Sequence, residues 1–111
     1  MHTKRLCLAA AVLAATVGQS RAEDQKACEQ KLEKAQAIGL IRGYDSSGGR
    51  LAVIVDEAVF AGMAYNSKVG LAKTFDCAVA GAGKALAEAE FRSHRTNKRV
   101  ALWSWGKLTV D

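Results

Sequence analysis

No proline occurs in this sequence, and it has only two histidines and three cysteines. With no proline, repeat, low-complexity tract or linker, nothing divides the chain into separate units, so one domain is expected. No Cys-x-x-Cys pair is present, which argues against a thiol redox centre. A zinc site would need reduced cysteines and a further ligand at short spacing, and that arrangement is missing. Long apolar runs are absent as well. The longest, Leu6–Val17, has 12 residues, well short of the roughly 20 that span a bilayer.

That run has another meaning. It follows Lys4 and Arg5, and it is followed by Gly18 and by Ser20-Arg21-Ala22, with small side chains where a signal peptidase must accept them. A basic start, a short apolar stretch and a small-residue cleavage site define a secretory signal peptide. The expected cut lies between Ala22 and Glu23, leaving a periplasmic or secreted product. A buried core helix would carry a polar face, and this segment has none apart from Thr16 at its end. Neither Cys7 nor Cys28 sits where a lipoprotein cysteine must, directly after the apolar stretch.

Removing residues 1–22 from the 111-residue chain leaves 89, a size at which a domain is marginal unless stapled. Cys7 departs with the signal, so Cys28 and Cys77 remain and are expected to pair, as cysteines of small exported domains do. Closing that loop is worth about 4 kcal/mol on the chain-entropy account. Lys4, Arg5 and Arg21 leave too, which lowers the formal charge from +5 to +2. The apparent basicity belongs partly to the leader, and it gives no support for a nucleic acid or an anionic membrane as partner.

Residues 24–37 are rich in helix formers, with Cys28, Leu32 and Ala35 on one stripe and Gly39 as the stop. Leu40–Tyr44 and Leu51–Val55 read as strands joined by an Asp-Ser-Ser-Gly-Gly turn, and the second is a continuous run suited to burial on both faces. Asp56–Met63 reads as a short irregular turn in which Phe60 and Met63 close the core. A second helix is expected over Tyr65–Ala80. Leu71, Phe75, Ala78, Val79 and Ala82 form its apolar stripe, Lys73 and Asp76 lie away from it, and Cys77 points sideways. Leu86–Phe91 alternates in polarity like a strand, Arg95–Lys98 is a polar turn, and Val100–Trp105 is strand-like. The expected fold is α+β: a four-stranded, mostly antiparallel sheet of two hairpins, with two helices on one face in helix-hairpin-helix-hairpin order.

Few residues suggest chemistry. After the leader the one histidine is His94, in Arg92-Ser93-His94-Arg95, with no partner nearby in sequence for a base or a ligand. Asp56 and Glu57 end a buried strand, where acid–base pairs occur, but Asp56 equally suits a helix cap. Glu88 and Glu90 share a strand face, expected to be the solvated one. Ser46, Ser47, Ser67, Ser93 and Ser104 lack a nucleophile-elbow context. Gly48-Gly49 and Gly81-Ala82-Gly83 are too short for phosphate loops. No catalytic residue, metal or cofactor is therefore expected.

Two features suggest contact instead. Arg92, His94, Arg95, Lys98 and Arg99 form the densest basic patch, either a solvated hairpin tip or a surface for an acidic partner, lipid headgroup or envelope polymer. Trp103 and Trp105 alternate along one strand, which places both indoles on one sheet face. Covered by helices they are core; left open, they form an aromatic platform with Arg95 and Arg99. The leading expectation is a non-enzymatic binding or accessory module, such as an inhibitor of a cell-envelope protein. The alternative is a small envelope hydrolase using Asp56 or Glu57.

Overall fold

Helix formers with few β-branched residues make residues 24–37 helical (α1). Gly39 ends the helix at φ 83°. Beyond it, Leu40 N donates to Ala35 O at 3.0 Å and Gly39 N to Gln36 O at 3.0 Å, satisfying carbonyls that the last turn leaves open. The structure, a computed structural model, describes residues 24–47, 49–81 and 85–111. The expected signal peptide and its cleavage site fall outside these residues, as do Gly48, Ala82 and Gly83. Among the described residues no helix is long and apolar enough to cross a membrane.

Five strands follow: β1 (Ile41–Asp45), β2 (Ala52–Val55), β3 (Glu88–Ser93), β4 (Arg99–Ser104) and β5 (Lys107–Val110). They lie in the sheet in sequence order. β1 and β2 form the expected antiparallel hairpin, with a bulge between Ile41 and Gly43. β2 and β3 pair in parallel, Val53 opposite Phe91. Parallel neighbours need a long crossover, here α2 (Glu57–Ala61) and α3 (Tyr65–Ala80).

The α+β class stands, but the expected four-stranded, mostly antiparallel sheet of two hairpins with two helices is corrected: among the described residues the sheet is mixed and has five strands, accompanied by three helices. The segment read as an irregular turn contains α2. Asp56 is its N-cap, its Oδ1 accepting from Val59 N at 3.0 Å. Phe60 is buried and Met63 packs on the core, as expected.

The strand expected over Val100–Trp105 stops at Ser104, and the chain reverses through Trp105 (φ 47°) and Gly106 (φ 82°). Two positive φ angles in succession make the type I′ turn whose twist suits a tight hairpin, and β5 returns with Lys107 opposite Ser104.

One face of the sheet carries the core. Val53, Val55, Ala89, Phe91, Ala101, Trp103 and Leu108 meet Leu32 and Ala35 of α1, Phe60 of α2 and Ala72 and Phe75 of α3. The rings of Phe60 and Phe91 stack with centroids 5.5 Å apart. Two residues of α3 depart from the expected stripe. Val79 is 45% exposed. Asp76 faces inward: its Oδ2 accepts from Trp103 Nε1 at 2.9 Å and its Oδ1 from Leu86 N at 3.0 Å. Asp76 follows Ala72 by one turn, so it shares the buried side of the helix.

Alternation puts Asp45, Ala52, Glu88, Glu90 and Arg92 on the opposite face. Glu90, expected to be solvated, is only 9% exposed. It lies beneath Arg50 (2.8 Å) and Arg92 (2.8 Å), with Glu88 also pairing to Arg50 at 3.0 Å. Burial raises the Glu90 pKa, but the two guanidiniums outweigh it and hold the carboxyl below its ordinary value.

Candidate functional site

α1 and α3 lie side by side because two bonds tie them. The Sγ atoms of Cys28 and Cys77 are 2.03 Å apart, and Gln25 Nε2 donates to Ala78 O at 3.0 Å. Between the helices, over the β1–β2 hairpin, lies a groove of about 370 Å³. Leu32, Tyr44, Leu51, Phe75, Ala78 and Val79 make its apolar surface. Tyr44 stacks on Phe75, centroids 5.8 Å apart and planes 15° apart, yet keeps 45% of its surface exposed. Its partial burial raises the phenol pKa above the usual value. Val79, which leaves the core, does so into this groove.

The rim is acidic. Glu29, Glu33 and Gln36 of α1 line the groove at intervals of four and three residues, which places them on one ridge of the helix. Among the described residues neither Glu29 nor Glu33 forms an ion pair. Among the described residues no Lys or Arg belongs to the lining. The groove therefore combines an apolar interior with one anionic wall, a pattern that takes an apolar group and favours positive charge beside it.

At the opposite edge of the core, the ends of β2 and β3 gather Asp56, Glu57, Ser93 and His94. Asp56 Oδ2 accepts from Arg42 Nη2 at 2.8 Å, and His94 Nε2 stands 4.0 Å from the same oxygen. The Val59 amide, then Arg42, lowers the Asp56 pKa, outweighing desolvation, which weakens it as a base near neutrality. Ser93 is 1% exposed. Its hydroxyl donates to Glu57 Oε2 at 3.1 Å and accepts from the amides of Arg95 and Thr96. Glu57 N in turn approaches His94 Nδ1 at 3.3 Å. These groups bind one another and fix the β3–β4 turn.

The four residues expected to form a contact platform are not brought together. Trp103 is 2% exposed and belongs to the core. Trp105 is 73% exposed in the β4–β5 turn, so the expectation that the two indoles share a sheet face fails: the second has left the strand. Arg99 begins β4 and Arg95 lies in the turn before it, at the far end of the strand from Trp105. Arg99 is engaged by Asp111 in a two-bond pair at 2.8 and 3.0 Å. Sequence patterning missed the groove because it arises where two helices meet. The one available signal was the acidic i, i+4 pair Glu29 and Glu33 bordering an apolar stripe.

No protein family, curated protein or solved structure matches the chain.

Proposed function

We propose that the mature chain is a non-enzymatic binding or accessory module, exported to the periplasm or beyond the cell, that works through the groove between α1 and α3. The observation that carries this reading is the groove itself. Apolar side chains of Tyr44, Phe75, Ala78 and Val79 line a hollow of about 370 Å³ at the surface of a small domain, a volume within the range of ligand sites. The leader-like amino-terminal sequence and the Cys28–Cys77 pair support an oxidising destination. An inhibitor or accessory subunit of an envelope protein fits this form, with the ends of β2 and β3 serving as frame.

Titration with the neutral apolar dye N-phenyl-1-naphthylamine tests the site. The oxidised domain is expected to enhance its fluorescence saturably. Val79→Asp should weaken binding about tenfold, the loss expected for a charge set against a buried apolar surface, while thermal unfolding stays near that of the parent. Saturable binding that Val79→Asp leaves unchanged would place the binding surface elsewhere.

A further inference from the structure

The geometry points to a specific occupant for this groove: a cationic amphipathic helix of another polypeptide, its apolar side chains seated on Tyr44, Phe75 and Val79 and its Lys or Arg residues against Glu29 and Glu33. The inference rests on the reading of the groove as the binding surface and adds the chemistry of the partner.

Three observations support it. The first is charge. Glu29 and Glu33 are like charges at i, i+4, an arrangement that weakens an isolated helix. Among the described residues no ion pair relieves it, and both carboxylates border the groove. A cation supplied by a partner would relieve it. The second is shape. Two neighbouring helices offer ridges and a valley between them, and a third helix presenting apolar side chains at i, i+3, i+4 and i+7 fits such a valley. The third concerns the nearest alternative, an extended peptide added to the sheet beside Tyr44. β1 is an edge strand, but its register shifts between Ile41 and Gly43, and such a bulge spoils the regular template that strand addition needs.

The test uses the oxidised mature domain and three fluorescein-labelled peptides of about 14 residues, with Leu at the helical spacing and Lys, Gln or Glu at the remaining positions. The Lys peptide should bind roughly tenfold more tightly than the Glu peptide, since two exposed charge contacts contribute a few-fold each and change sign between the two. The preference should shrink with added salt and largely vanish in Glu29→Gln/Glu33→Gln, whose thermal unfolding serves as the folding control. Equal binding of all three peptides would overturn the cationic partner while leaving the apolar groove in place. Dye binding at the groove without any peptide binding would overturn the helical partner. Self-association that Val79→Asp abolishes, seen by sedimentation without peptide, would replace it with a second copy of the chain. Failure of dye and peptides together would remove the groove reading itself.

Discussion

The two faces of the sheet are built from alternate residues of the same strands, yet different forces hold them. On the helix-covered face, Phe91, Val53, Val55 and Trp103 lose nearly all contact with water, and each buried side chain of this size contributes about 1.5–3 kcal/mol of transfer free energy. On the other face, among the described residues, no helix covers the strands. Arg50 and Arg92 lie across Glu88, Glu90 and Asp45 instead. Ala52, opposite Glu90, is fully buried but stands apart from the core cluster. The aliphatic stems of long charged side chains cover such positions. Burial alone does not identify a core: Ala52 is buried on the face that carries the arginines and carboxylates, and Phe91 within packed carbon.

The largest expected effect tests the covered face. Phe91→Ala should cost about 3–5 kcal/mol, while Thr109→Ala, exposed on the opposite face, should stay within about 0.5 kcal/mol. Chemical denaturation of both variants measures the contrast. Similar losses for the two would show that the faces are not divided as described.

A smaller effect is expected at Asp76, whose carboxylate reaches into the covered face. Asp76→Asn keeps an acceptor for Leu86 N but turns an amide against the Trp103 indole N–H. Leaving that donor unpaired should cost about 1–3 kcal/mol. A double-mutant cycle with Trp103→Phe isolates the term; additive losses would mean that the bond between Asp76 and Trp103 contributes nothing.

The smallest effect belongs to the charged lattice. Glu90→Gln should cost about 1 kcal/mol or less near neutral pH, because the guanidiniums of Arg50 and Arg92 that pair with it remain partly exposed to water. The pH dependence is more telling. The folded-state pKa of Glu90 is lowered, so its contribution is complete above the ordinary glutamate pKa and is lost as pH falls through the lowered folded value. Thermal unfolding followed down this acid range should show a flatter decline for Glu90→Gln than for the parent. Parallel curves would remove Glu90 from the acid response.

Much of the covered face is legible in the sequence, because its signals are local. α1, the first hairpin and the bounds of α3 follow from helix formers, from Leu51-Ala52-Val53-Ile54-Val55 and from glycine stops. The parallel pairing of β2 with β3 joins segments far apart in the chain and escapes a local reading, although a continuous apolar strand followed by helix is the pattern of a crossover. β5 escapes it too, because its turn is Trp105-Gly106 rather than Asn-Gly. Only the glycine marks it, and tryptophan at φ 47° is an unusual occupant of that position. Glu90 and Asp76 mislead for a shared reason: each is a carboxylate whose burial depends on partners far along the chain, Arg50 for one and Trp103 for the other. The groove is illegible because Val79 looks like core on a helical wheel, and only the position of α1 leaves it uncovered.

The strands lie side by side in the order in which they are synthesised, and this gives assembly a direction in time. The first hairpin needs only its own turn and can close in microseconds. β3 can pair locally with β4, but the two hairpins join into one sheet only when the crossover helices bring β3 beside β2. Cys28 emerges early and waits 49 residues for Cys77, which comes after the first two strands but before the last three. The covalent link thus becomes possible midway, when α1 can be fastened to α3 and the second half of the sheet is still to be laid down.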